Sequence, residues 1–416
     1  MYRLILIILF VIVGQISLAQ APLPIIRASS KTVTIRDGIH FKKGYWYIMP
    51  EKKPDYYFVE TPYKEHRVSF ITDQDSISFD IKYGEHYDFI VLLNNKDSCH
   101  TKIIATYKKA ISYESERLQS IPDTIPFTIG NNSKVYFKGR INGSQSLNIQ
   151  FDLGAGGCQI KKSSAKRTRT NFDNSVTLIN SDGTNRVPSS SFNKLEIAGL
   201  RWDSLPFAVS NNMTYREDML VGNSLFQHKV IEINYDKKII ILYDSLPPLD
   251  TGYSKHEIIL DGVVPYIQAS VTVNSKTRTG WFMFDIGAYT TILKTNISAT
   301  NKMYVEARKM AGLKSESLSP QLTIDDYKFS HFNYTVEKTD QDDTQLGLLG
   351  NDLLKRFNVI LDNRNGYIYL KPNSLADAPY ANPEYYLVRI ASGFIILLIA
   401  LIVFIHNRKK VRRKRV

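Results

Sequence analysis

The chain has 416 residues, 43% of them hydrophobic, and a formal net charge of +13. Seven of the positive charges crowd into the last nine residues, 408–416, so the body lacks the face of clustered basic and aromatic residues that marks a nucleic-acid binder. Two cysteines, Cys99 and Cys158, cannot make a stapled disulfide framework, and a body this long must fold around hydrophobic cores.

At the start, Arg3 precedes an unbroken apolar run from Leu4 to Val13, with small residues at Ser17, Ala19 and Ala21. That is the form of an export signal, and the run is too short to span a bilayer. Residues 1–21 are expected to be a signal peptide. From 22 to 110, short period-two runs such as Val33 and Ile35, Val68 and Phe70, and Ile77, Phe79 and Ile81 alternate with polar neighbours. Turn signals at Asp37-Gly38 and Tyr83-Gly84 separate them, which predicts an antiparallel β-sandwich. Tyr45, Trp46 and Tyr47 suit a strand core there better than a carbohydrate surface. The stretch 111–126 has helix-like and proline-containing composition and is taken as a connector.

The rest of the body contains a repeat. Asn148-Ile149-Gln150-Phe151-Asp152-Leu153-Gly154-Ala155 is echoed by Trp281-Phe282-Met283-Phe284-Asp285-Ile286-Gly287-Ala288. Leu220-Val221-Gly222-Asn223 is likewise echoed by Leu348-Leu349-Gly350-Asn351, with the glycine 70 residues after Asp152 and 65 after Asp285. Each copy closes on a β-rich hairpin. The spacing predicts an all-β body of two lobes, 127–248 and 249–372.

After a linker, 373–386, the stretch 387–406 carries an apolar run from Ile390 to Ile405 that Leu387 and Val388 extend past Arg389, long enough for one transmembrane helix, with Tyr385 and Tyr386 at its edge. The basic tail, 407–416, marks the cytoplasmic side. Signal and tail agree on a membrane-anchored protein whose body is extracytoplasmic, periplasmic in a bacterium.

An apolar strand that delivers an Asp to a tight turn with Gly two residues later presents a carboxyl above a dry strand. The expectation is that the glycine is there for a positive φ. Two such carboxyls facing each other share one proton, so one can act as base on water and the other as acid on a carbonyl. No metal or cofactor is called for, since the histidines lack metal-ligand spacing. At these residues the chain resembles the pepsin/retropepsin clan of aspartic peptidases, in a two-lobed single-chain form. The second copy is the closer match, through Asp285-Ile286-Gly287-Ala288-Tyr289-Thr290-Thr291. The resemblance implies a catalytic pair, Asp152 and Asp285. It implies supporting loops at Gly154, Ala155, Gly287 and Ala288, and a flap over a peptide substrate. The flap falls on Thr177 to Val187 with Asp182 and Gly183 at its tip, and its counterpart, less clearly, on Gly312 to Tyr327. The family carries a hydroxyl residue after each Asp that crosses to the opposite loop. Here those positions are Leu153 and Ile286, and Cys158 replaces a further hydroxyl that Thr291 keeps. A membrane-anchored aspartic endopeptidase and a degenerate module that binds peptide or a partner protein both stay open. The sequence leaves the oligomeric state undetermined.

Overall fold

The computed structural model describes residues 22–37, 42–59, 65–106, 112–115, 122–180, 183–273, 275–295, 320–338 and 345–380, with helical pieces at 398–399 and 401–403. The chain divides into two compact units, Met1–Tyr107 and Lys108–Val416. Both are built of strands. Among the described residues no helix is long and apolar enough to cross a membrane. The expected signal, 1–21, and most of the expected span, 387–406, lie outside the described residues.

In the first unit the period-two runs do what their pattern demands. Val33, Ile35, Val68 and Phe70 of one four-stranded sheet and Phe89, Val91, Leu93 and Ile103 of another are buried in one core. Each such side chain contributes about 1.5–3 kcal/mol. Trp46 joins it, its ring 5.3 Å from Phe70 and 5.8 Å from Tyr57, while Tyr47 remains exposed. The expectation of antiparallel pairing throughout is corrected in one sheet. Ile25–Ala28 runs parallel to His86–Leu93, and Asp55–Phe58 parallel to Asp97–Ile104. The chain between Ala28 and His86 passes through the other sheet, and a connection of that length permits parallel pairing.

In the second unit the two copies repeat one topology. Leu147–Phe151 lies parallel to Met219–Val221, and Lys276–Asp285 parallel to Gln345–Gly350. Cys158–Lys161 then pairs antiparallel with Met219–Val221 and parallel with Phe207–Ser210. Thr291–Thr295 does the same with Gln345–Gly350 and Tyr334–Lys338. The closing hairpins meet: Val230–Asn234 pairs antiparallel with Phe357–Asp362, joining the copies through one continuous sheet. Phe151, Leu153, Phe284, Ile286 and Leu349, all fully buried, belong to a single core.

The described part of the connector is strand, not helix. Tyr113–Ser115 pairs with Leu200–Trp202, and Asp123–Pro126 with Ile239–Tyr243, because the edge of each sheet offers free backbone groups and a pocket for Ile125.

Candidate active site

Phe151, the last residue of the first Asp strand, and Phe284, the last but one of the second, are buried in the core. The next residue of each strand therefore emerges on the other face. Asp152 is half-buried there, its N–H donating to the Val221 carbonyl at 3.0 Å. Each loop folds back on its own carboxyl. The Gly154 N–H donates to Asp152 Oδ1 at 2.8 Å, and the Gly287 and Ala288 N–H groups donate to Asp285 Oδ1 at 2.8 and 3.0 Å. Each carboxyl lies against the glycine of the opposite loop, and the two act on each other electrostatically.

The expected reason for the glycines is corrected. Neither Gly154 nor Gly287 is among the positive-φ glycines. What each permits is approach. A Cβ on Gly154 would sit 2.5 Å from the Asp285 carboxyl carbon, and one on Gly287 would overlap the carboxyl carbon of Asp152. The loops interpenetrate, each glycine making room for the opposite carboxyl.

The pair holds its proton. Burial, then the charge of Asp285 and the hydrogen bond with it, push Asp152 well above the usual carboxyl range, against the pull of Lys134 and the Gly154 N–H. Burial also raises Asp285, although the bond from Asp152 and the Gly287 and Ala288 N–H groups oppose it. Asp285, with three donors, is the better-stabilised anion, and Asp152 keeps the shared proton.

The Gly-Asn segments brace the loops from behind. Gly222 lies against the Ala155 carbonyl and Gly350 against Thr290, so close that neither admits a Cβ. The Gly350 N–H donates to Thr291 Oγ1 at 3.2 Å, and the Gly222 N–H bonds Cys158 in the matching place. Burial pushes the Cys158 thiol up to about 12, against the Gly222 N–H and Ser224. Cys158 and Cys99 are both free. Each asparagine crosses to the other copy. Asn223 exchanges hydrogen bonds with Asn363, and Asn351 accepts from Tyr235 Oη at 2.7 Å. Asn363 and Tyr235 stand equally far after Gly350 and Gly222, so the two crossings are related by the repeat.

Asp152, Gly154, Ala155, Asp285, Gly287 and Ala288 are therefore brought together. The flap segment is a hairpin, Asn174–Asn180 with Gly183–Ser190, in which Gly183 faces Asn180, and Asp182 lies outside the described residues. The window for its counterpart is corrected in part. Gln321–Ile324 and Tyr327–Phe329 form a hairpin equivalent to Leu195–Ile197 and Leu200–Trp202, and residues 312–319 lie outside the described residues. Sequence reasoning missed Gln150, Lys134, Glu217, Asn363 and Tyr235. Gln150 carried a usable signal: it is a polar residue two before Asp152 in an apolar strand, hence on the same face.

A family model described as aspartyl protease matches residues 137–225, the segment that carries Asp152, Gly154, Gly222 and Asn223. This segment is of the aspartyl protease, pepsin/retropepsin-like family. Comparison with curated proteins gives no match. The aspartyl protease match falls on the first copy, although the Asp285 motif of the second more closely resembles the family pattern. The common strand pairing relates the second copy to the first.

Proposed function

We propose that the chain is an aspartic endopeptidase in which Asp152 and Asp285 form the catalytic dyad between two lobes. The observation that carries this reading is the meeting of two carboxyls at the ends of equivalent strands, each lodged against the glycine of the opposite loop, where burial favours a retained proton. The Asp285 carboxylate takes a proton from a water, whose oxygen bonds to the peptide carbonyl carbon. The carbonyl oxygen receives the proton of Asp152, giving a neutral gem-diol. On collapse, the gem-diol returns a proton to Asp152, Asp285 passes its proton to the amide nitrogen, and the C–N bond breaks. The hairpin Asn174–Asn180 with Gly183–Ser190 is the candidate flap.

The test is cleavage of an unstructured protein by the purified full chain. Asp285→Asn should lower turnover by at least about a hundredfold, and a statine-type inhibitor should block the wild type. Cleavage that survives both would overturn the reading. Peptide binding without turnover by the wild type would favour the alternative, a binding module, for which the apolar Leu153 and Ile286 speak. We also propose export and a C-terminal membrane anchor, supported by the signal-like 1–21, the apolar 387–406 and the basic tail, with the body extracytoplasmic.

A further inference from the structure

The two Asp loops are built alike, but what stands behind them differs. Gln150 is 2% exposed and shares a strand face with Asp152. Its Nε2 donates to Asp152 Oδ2 and to the Gly287 carbonyl, both at 3.2 Å. Its Oε1 accepts from Lys134 Nζ at 3.2 Å. An ammonium only donates, so Lys134 compels the amide oxygen to face it and the NH2 group to face the dyad. Lys134 is held by Glu217 at 3.1 Å. Glu217 accepts in turn from Tyr136 Oη at 3.0 Å and from the Thr214 N–H at 2.8 Å. Burial would raise Glu217, but Lys134 and the Thr214 N–H outweigh it and hold the carboxyl below its ordinary range.

The second copy has the same frame without the charges. Met283 pairs with Tyr266 as Gln150 pairs with Tyr136. Gln345 donates to Tyr266 Oη at 3.1 Å, where Glu217 accepts from Tyr136. Val264 stands two residues before Tyr266, where Lys134 precedes Tyr136. The tether therefore reaches the dyad from one side only.

We propose that Gln150 is a positioning residue: locked by Lys134 and Glu217, it ties Asp152 to the opposite loop at Gly287 and so supports one carboxyl of the pair in a way that the other is not supported. The proposal rests on reading Asp152 and Asp285 as the catalytic dyad. It also bears on pH. The titratable and charged groups around Asp152 are Asp285 across the dyad, Lys134 behind Gln150, and Glu217 with Tyr136 behind Lys134. A donor on Oδ2 and a nearby cation both favour the anion. Removing either should make the pair keep its shared proton to higher pH.

Two variants of the full chain test this: Gln150→Met, which copies the other side, and Lys134→Met, which frees the amide and removes the cation behind it while leaving Gln150 and both carboxyls in place. The first readout is the pH dependence of esterification by a small epoxide, which alkylates an ionised carboxylate, with Asp152 and Asp285 resolved by mass spectrometry. The second is the pH profile of peptide cleavage. Both variants should shift the labelling of Asp152 upward by about one pH unit and move the alkaline limb of kcat/KM with it. Gln150→Met should also lower kcat by about ten- to a hundredfold with KM little changed. Labelling profiles that superpose on the wild type in both variants would overturn the proposal. A wild type that is labelled normally but cleaves nothing would refute the enzyme reading alone, and the labelling shift would still decide the role of Gln150.

Discussion

Asn223 and Asn363 trade two hydrogen bonds across the repeat, Asn223 Nδ2 to Asn363 Oδ1 at 2.8 Å and Asn363 Nδ2 to Asn223 Oδ1 at 3.0 Å. Asn223 also donates to the Val263 carbonyl at 2.8 Å, and Asn363 to the Phe226 carbonyl at 3.1 Å. Both side chains are 1% exposed, so water cannot replace what a substitution removes. At about 1 kcal/mol per bond, Asn223→Ala loses three bonds and costs about 3 kcal/mol, and Asn363→Ala, which also loses a bond to the Lys229 carbonyl at 3.4 Å, costs about 4 kcal/mol. The double variant loses five distinct bonds, for about 5 kcal/mol where the singles sum to about 7. The coupling of about 2 kcal/mol is what a double-mutant cycle reads for groups in contact. Urea unfolding followed by tryptophan fluorescence, in a Trp46→Phe background, confines the signal to Trp202 and Trp281 of the second unit. Additivity within about 0.5 kcal/mol would mean that the crossed amides do not hold the copies together.

Asp285→Asn should stabilise the protein at neutral and alkaline pH while abolishing cleavage. The folded state raises this carboxyl above its unfolded value, so the native form binds more protons and loses stability as pH climbs through the folded pKa. Asparagine keeps an oxygen for the Gly287 and Ala288 N–H groups and offers Nδ2 to Asp152. Thermal melts should coincide with the wild type below about pH 4 and separate above it. A variant less stable than wild type at pH 8 would reverse the sign. For topology, protease added to intact spheroplasts should digest the body and spare an epitope placed after Arg415, and protection of the body would refute the proposed orientation.

The repeat was legible because its chemistry lies in short contiguous runs: Phe151-Asp152 and Phe284-Asp285, Gly222-Asn223 and Gly350-Asn351 each announce themselves locally. The strands of the first unit were legible for the same reason, since Val33 and Ile35 or Val68 and Phe70 alternate within a few residues. What the sequence hid was non-local. The role of Gln150 depends on Lys134, 16 residues away, and that of Lys134 on Glu217, a further 83 along the chain. Asn223 acquires its partner only when the copies close on each other, 140 residues apart. Glycine illustrates a different blindness. Gly154 and Gly287 stand out in the motif, but a sequence cannot separate a need for unusual backbone angles from a need to let a foreign carboxyl come near.

The shared sheet also has a history in time. Val230–Asn234 finds its neighbour on one side at once, in Ile239–Tyr243, but on the other side it waits for Phe357–Asp362. The pairing of Val230 with Asp362 spans 132 residues, which a ribosome takes on the order of ten seconds to supply. Throughout that interval the nascent first copy presents an unpaired edge with Ile231 and Ile233 inward, the kind of edge on which chains aggregate. Glu232 stands between them, held by Tyr243 Oη at 2.8 Å. A stray strand docking there would have to desolvate that carboxylate, so the edge carries its own guard until its partner is made.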